Sequence, residues 1–315
     1  MRILFMGTPE FAAVSLEAII QSGQEICGVV TQPDRPRGRG MELKPSEVKQ
    51  VALHYRLPLW QPETVNSPEF IALFQKLQPA VVVVVAFGQK IPASILFEPE
   101  FGCVNVHGSL LPKYRGAAPI QWSVLNGDLT AGVTTMYMDE GWDTGDIIAQ
   151  AATSVSPAEN FGELYHKLAK LGGKLLVQTL TALENRTASR FPQNPAAASA
   201  APKLKPELKL INWAEPAERI HNVVRVFAPS PGAETYLGAN RLKIIKASVS
   251  PAALETAAIP GTILQIVKKQ GILVSTMTQP LLVSELQPAG KKLMAATDYA
   301  NGRHLVPGMV LSSNS

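Results

Sequence analysis

Residues 80–87 read A-V-V-V-V-V-A-F, and G-Q-K-I-P follows at 88–92. This is the longest apolar run in the chain, and it is too short to span a bilayer. A β-branched stretch of this length, uncharged and closed by Gly88 and Pro92, predicts a strand buried on both faces at the centre of a sheet. Elements of the same kind surround it. Arg2–Met6 reads as a strand, Gly7-Thr8 as a turn, and Pro9 fits the first turn of a helix over Phe11–Gln21. Glu25–Thr31 is a second strand, followed by a Pro/Gly/Arg loop over 32–45 and a helix that Ser46 can cap. Leu57–Trp60, Cys103–His107 and Gly132–Met138 read as strands; 68–78, 118–126 and 161–183 read as helices. Alternating strands and helices predict an α/β fold, a Rossmann-like, mostly parallel sheet wrapped by helices.

A chain of 315 residues suits two domains. Composition shifts to Ala, Pro and Ser near residue 187, which divides the chain into a domain over 1–187, a linker over 188–207 and a second domain over 208–315. The second part carries a helix over 216–226 and short strand-like runs at 241–248, 261–267, 271–276 and 281–286, the pattern of a small β-barrel. Charge is uneven. Residues 1–207 hold 18 Lys/Arg against 19 Asp/Glu, and residues 208–315 hold 11 against 6. The basic module suits a phosphate backbone, with ordinary solubilising charge as the alternative.

Several classes drop out. Met6-Gly7-Thr8-Pro9 lacks the G-x-G-x-x-G spacing of a dinucleotide site, and no P-loop is present. Cys27 and Cys103 lie in apolar runs and fit neither a disulfide framework nor a metal pattern. The five His residues lack metal-ligand spacing, so no metal is expected. The opening reads as a strand and turn rather than a signal peptide, and a reducing cytoplasm fits the thiols.

The chemistry concentrates between Asn105 and Asp146. Asn105 and His107 sit two apart in an extended run, so both side chains can face the same way. Asp143 lies in the glycine-bounded turn D-E-G-W-D-T-G-D, with Asp146 as the rival carboxylate. An amide donor, an imidazole and a carboxylate at the end of a parallel strand could form an acyl-transfer site. Asn105 would polarise a carbonyl, His107 would move a proton, and Asp143 would hold the His tautomer or position a relaying water. Taken singly, each has a plainer reading as a turn or strand-end residue.

The words N-V-H-G-S-L-L-P and D-T-G-D, with M-R-I-L-F-M-G-T-P-E-F-A, T-Q-P-D-R-P-R-G-R-G, P-K-L-K-P-E and L-Q-P-A-G-K-K-L-M, resemble those of the 10-formyltetrahydrofolate-dependent formyltransferases almost from end to end. The likeness is greatest to the branch acting on initiator methionyl-tRNA. It implies an oligonucleotide-binding-like barrel, a catalytic set of Asn105, His107 and Asp143, 10-formyltetrahydrofolate as donor, a cytoplasmic monomer, and no DNA or membrane partner.

Ser109, Leu110, Leu111 and Pro112 match the folate loop: Pro112 stiffens it and the leucines offer an apolar wall. Phe87, Gly88 and Ile91 would form another pterin wall, with core packing as the alternative for Phe87. Asp139, Glu140 and Gly141 would close the pocket through their backbones. Arg35, Arg37, Arg39 and Lys44 match the loop that reaches the tRNA acceptor end, where guanidinium groups bond phosphates and stack on bases. Lys203 and Lys205 match the region near the tRNA 3′ end. Lys268, Lys269, Lys291 and Lys292 are candidates for phosphate contacts.

The chain departs from the family at three places. Glu42 stands where basic residues are common, 226–231 lacks an asparagine and a tryptophan, and Trp142 replaces a small aliphatic and should narrow the pocket mouth. The catalytic words alone leave open a sugar-nucleotide or glycinamide ribonucleotide acceptor, a formate-releasing hydrolase, and an inactive RNA-binding protein. The basic loop and module favour tRNA.

Overall fold

The computed structural model describes residues 1–37, 42–251 and 258–314. The chain divides into two compact units. The first comprises Met1–Pro119, Thr130–Ser154 and Tyr165–Pro202; the second comprises Ile120–Leu129, Val155–Leu164 and Lys203–Ser315.

Through the first 184 residues the elements run β1 (Arg2–Gly7), α1 (Glu10–Gln21), β2 (Glu25–Val30), β3 (Arg35–Arg37), β4 (Glu42–Lys44), α2 (Glu47–His54), β5 (Leu59–Trp60), α3 (Pro68–Leu77), β6 (Val81–Val85), α4 (Ala93–Leu96), β7 (Cys103–His107), α5 (Pro119–Leu125), β8 (Thr130–Tyr137), β9 (Ile147–Ser154) and α6 (Phe161–Glu184). The first unit's sheet has seven strands in the order β5-β2-β1-β6-β7-β8-β9, so the valine strand is the middle one. β5, β2, β1, β6 and β7 are parallel, whereas β8 runs antiparallel to β7 and β9 antiparallel to β8. The alternation of elements predicted the parallel part. It missed β9, and it carried no information on the reversed direction of β8.

The valines of β6 are all buried, and Phe70 and Phe74 of α3 pack with Phe87 and Ile91 into the same core. Each such burial stabilises the fold by about 1.5–3 kcal/mol. Local signals start and stop the helices as their chemistry requires. The Ser46 hydroxyl accepts from Lys49 N–H at the head of α2, and Ser67 does the same for Phe70 N–H at the head of α3. Pro68 opens α3, and Gln78 closes it in the left-handed conformation at φ 43°. Asn160 and Glu163 cap α6 reciprocally, each accepting the other's N–H.

Residues 35–44, read as a loop, contain a short hairpin pairing Arg35 with Lys44 and Arg37 with Glu42. Arg39 lies outside the described residues. Residues 188–202, read as linker, belong to the first unit. They form an extended strap: Phe191 and Ile147 exchange backbone hydrogen bonds, Arg115 N–H donates to Ser199 O, and Ala201 N–H donates to Arg115 O.

The second unit adds α7 (Ala217–Phe227), β10 (Ala233–Leu237), β11 (Asn240–Val249), β12 (Ile263–Val267), β13 (Gly271–Val274), β14 (Leu281–Pro288), β15 (Met294–Ala295), α8 (Ala296–Arg303) and β16 (Leu311–Ser312). The sheet is antiparallel, in the order β12-β13-β14-β11-β10-β16. A bridge between Thr262 and Val310 brings its two ends together and curls it into a small barrel. Leu242, Ile244, Ile263, Val283, Leu286 and Leu311 fill the interior, each no more than 5% exposed.

Closure depends on Gly261, which sits at φ +92° with an added β-carbon only 2.2 Å from Leu311 O. Gly261→Ala is expected to destabilise the protein by roughly 1–3 kcal/mol. Urea unfolding checks it, and an unchanged midpoint would contradict the closure argument.

Arg225 of α7 is buried. Its guanidinium donates to Glu159 O at 2.8 Å, Ser156 O at 3.3 Å and Asn222 Oδ1 at 2.9 Å, fastening the segment before α6 to this unit. Arg219 donates to Leu125 O at 3.2 Å. Among the described residues no helix is long and apolar enough to cross a membrane.

Candidate active site

The site grows from the C-terminal end of β7. Asn105 pairs with Val84 on one side and Met136 on the other, and His107 pairs with Thr134. Two residues apart on one strand, they share a face of the sheet. Asn105 is half-buried, and among the described residues its side-chain amide has no protein partner. A donor left uncommitted at a strand end is available to a substrate oxygen.

His107 is 6% exposed, and its Nε2 lies 2.8 Å from Tyr114 O. A carbonyl only accepts, so Nε2 carries the hydrogen, and in the neutral ring the lone pair is on Nδ1. Nδ1 faces Asp143 Oδ2 at 3.6 Å, longer than a direct hydrogen bond and an ion pair only when the ring is protonated. The sequence reading left Asp143 to hold the tautomer or to position a water; in the structure the Tyr114 carbonyl holds the tautomer. Asp143 itself sits at φ +55°, and its Oδ2 accepts Gly116 N–H at 2.8 Å.

The turn carrying Asp143 is built from short polar links. Asp139 accepts the Thr144 hydroxyl at 2.8 Å and Gly141 N–H at 3.0 Å. Gly145 packs so closely that an added β-carbon would lie 1.9 Å from Tyr137 O. Gln193 Nε2 donates to Asp143 O at 2.9 Å and to Gly145 O at 2.8 Å. Asp146, the rival carboxylate, pairs instead with Arg190 at 3.6 Å, and that guanidinium stacks 3.9 Å over the Tyr137 ring. The Trp142 indole is 76% exposed, directed to solvent rather than packed against the turn.

Ser109 to Pro112 form a tight loop with a cis bond before Pro112. Ser109 Oγ donates to Lys113 O at 2.6 Å, and Thr134 Oγ1 donates to Ser109 O at 2.6 Å and accepts Leu111 N–H at 3.1 Å. Gln150 Nε2 donates to Leu111 O at 2.8 Å. Both backbone groups of Leu111 are therefore used to shape the loop. Leu110 is half-buried and Leu111 buried.

Phe87 and Ile91 lie in the core, 2% and 5% exposed, so packing accounts for the Phe87 ring; Gly88 is exposed at φ +87°. Asp139 is half-buried and Gly141 exposed. A cavity of about 420 Å³ opens beside the turn, lined in part by Leu96, Cys103, Tyr137, Met138, Asp139 and Arg190. It takes in Asp139 of the expected folate contacts, while His107 and Asp143 do not line it.

Arg35 and Lys44 are exposed on the hairpin, with Lys44 Nζ 3.9 Å from Glu42 Oε2, and Arg37 contributes backbone pairing there. Lys203 and Lys205 are exposed at the start of the second unit's main segment, and Lys268, Lys269, Lys291 and Lys292 are exposed farther along it. Burial pushes the Cys103 thiol up to about 12 and raises Cys27 as well, which keeps both as unreactive thiols at neutral pH. Among the described residues no group of His, Cys, Asp and Glu could hold a metal ion.

Sequence reasoning missed Tyr114, Gly116, Thr134, Gln150 and Gln193. Each acts through a few tertiary hydrogen bonds, from one for Gly116 to four for Gln193, and no periodicity marks such residues. The proximity of Tyr114 and Gly116 to N-V-H-G-S was the one available hint.

The Formyl transferase family model matches residues 1–180, and the Formyl transferase C-terminal domain matches residues 203–304. Methionyl-tRNA formyltransferase of Desulforamulus reducens is 46% identical over 311 residues, covering 99% of this chain and 98% of its own. That of Moorella thermoacetica is 46% identical over 312 residues, with 99% of each chain covered. The N-formyltransferase of Helicobacter canadensis, solved with folinic acid and dTDP-3-aminofucose, shares the fold with a TM-score of 0.62 at 20% identity, over 91% of this chain and 98% of its own. With both family models matched in order and near-full-length identity at this level, the chain belongs to the formyl transferase family, in the branch of the methionyl-tRNA formyltransferases.

Proposed function

We propose that this enzyme transfers the formyl group of 10-formyltetrahydrofolate to the α-amino group of initiator methionyl-tRNA, in the cytoplasm and as a monomer. The observation that carries the mechanism is the arrangement of His107. Its Nε2–H is bound to Tyr114 O, and Nδ1 stands 3.6 Å from the Asp143 carboxylate on the same sheet face as Asn105.

In this reading the methionyl amine attacks the formyl carbon, forming a C–N bond and a tetrahedral oxyanion. The Asn105 amide donates to that oxyanion, a contact stronger in the transition state than in the ground state. His107 Nδ1 accepts the proton that the attacking nitrogen sheds. The neighbouring carboxylate stabilises the imidazolium that results, and the same nitrogen returns the proton to the departing folate nitrogen. The C–N bond to the donor breaks, leaving formylmethionyl-tRNA and tetrahydrofolate. No metal is required for any of these steps.

For the donor, Ser109, Leu110, Leu111 and Pro112 supply one wall. Gly88 and Ile91 supply another with the backbone at Phe87, and Asp139 and Gly141 border the turn. For the tRNA, the exposed cations Arg35, Lys44, Lys203 and Lys205, together with Arg37 and Arg39, serve the acceptor end. Phosphate contacts of this kind position a nucleic acid without reading its sequence.

The deciding assay offers the purified protein 10-formyltetrahydrofolate with initiator methionyl-tRNA, elongator methionyl-tRNA or an amino-sugar nucleotide. Selective formylation of the initiator is the expected result. Transfer to the sugar nucleotide alone would overturn the acceptor assignment, and formate release without transfer would make the protein a hydrolase.

A further inference from the structure

Building on the catalytic reading of Asp143, we propose that Gln193 is a positioning residue of the reaction, holding the Asp143 carboxylate against His107. Gln193 lies in the strap that composition presents as linker. Its side chain is 9% exposed, and both ends of its amide are fully used. Oε1 accepts from Arg115 Nε at 3.0 Å and Nη2 at 2.8 Å, while Nε2 donates to Asp143 O at 2.9 Å and Gly145 O at 2.8 Å. An amide has two donors and two acceptor sites, so no capacity is left for a ligand. Gln193 touches protein on every side and acts only through what it holds.

What it holds is the geometry of Asp143. That residue occupies the left-handed region at φ +55°, which Asp visits more readily than most residues with a β-carbon but still at a cost, and the Gln193 bonds oppose its relaxation. The two carbonyls to which Gln193 donates bracket the Asp143–Gly145 bend. At its other end Gln193 grips Arg115, and the next residue, Gly116, donates the N–H that holds Asp143 Oδ2. One side chain thus ties the backbone of Asp143 to the segment that orients its carboxylate. Gln193 is placed in turn by the pair of backbone bonds between Phe191 and Ile147. Without Gln193, two carbonyls lose their donors and the carboxylate is released from its position facing Nδ1.

The test is a kinetic cycle on the full-length enzyme, with 10-formyltetrahydrofolate and methionyl-tRNA as substrates. Gln193→Ala and Gln193→Glu are made alone and in an Asp143→Ala background, with melting temperatures as a fold check. Glu keeps the acceptor for Arg115 and loses both donors to the turn, so it should fail as Ala does. Each is expected to lower kcat about 10–100-fold with KM for methionyl-tRNA within about three-fold, because small misplacement of a reacting group has effects of this size. In the Asp143→Ala background the further loss should be less than about two-fold, since Gln193 would have nothing left to position.

Parental kcat in Gln193→Glu, or the same loss in both backgrounds, would overturn the proposal and leave Gln193 a structural residue. Parental kcat in Asp143→Ala alone would overturn the catalytic reading of Asp143 itself, a separate and distinguishable result. Should neither Gln193 variant fold, Arg115→Met weakens the clamp from its other end. It is expected to lower kcat several-fold in the parent and not in the Asp143→Ala background; equal losses in both would again overturn the proposal.

Discussion

His107→Ala is expected to lower kcat for formyl transfer by roughly 10²–10⁴-fold, the usual contribution of a positioned acid–base group. The loss belongs in kcat because the imidazole changes its charge only as the proton leaves the attacking amine. KM for methionyl-tRNA should stay within about three-fold, since uniform binding is not what the ring supplies. Asp143→Ala should lower the same parameter by a smaller factor, because Nε2–H on Tyr114 O still fixes the ring when the carboxylate is gone. The two losses should not add, because the carboxylate acts on the imidazolium that His107 forms. Steady-state kinetics on the single and double variants check this. A His107→Ala enzyme turning over at the parental rate would remove the proton-transfer role and leave the ring as a packed core histidine.

Asn105→Ala should be the next most damaging change, lowering kcat roughly 10²–10³-fold, or about 2.7–4 kcal/mol of transition-state stabilisation. Its side-chain amide has no protein partner among the described residues, so its removal breaks no scaffold and the melting temperature should barely move. This separates it from His107, whose ring is hydrogen-bonded and buried. Asn105→Asp sharpens the test, since it keeps the shape while turning a donor into a negative charge beside the developing oxyanion. It should be at least as slow as Asn105→Ala. Equal activity in Asn105→Asp and the parent would show that the amide donates nothing to the transition state.

Much of this was legible in the sequence for identifiable reasons. Val81–Val85 read as a central buried strand, and the helices around it carry caps and periodicity. The family words singled out Asn105, His107 and Asp143, and the structure sets His107 Nδ1 3.6 Å from Asp143 Oδ2. β9 was missed because I-I-A-Q-A-A-T-S alternates small residues whose inward and outward faces differ little in polarity. The reversal of β8 was missed because strand direction leaves no mark on composition. The strap was misjudged for a similar reason. Its backbone does the bonding, so Ala, Pro and Ser there describe its lack of core-forming side chains rather than a lack of structure. Gln193 was invisible on the same ground: in P-Q-N-P it looks like any loop residue until its four hydrogen bonds are known.

The Arg225 clamp has a consequence for how the protein is made. Ser156 and Glu159 leave the ribosome well before the arginine that binds their carbonyls, which lies 66 residues beyond Glu159. At about 5–20 residues per second, that segment waits roughly 3–13 s for its partner. The seven strands of the first sheet are all synthesised by residue 154 and can pair during that interval. The segment that Arg225 binds has no such partner until α7 emerges, and water-compatible residues such as Ser156, Glu159 and Asn160 suit it to that wait.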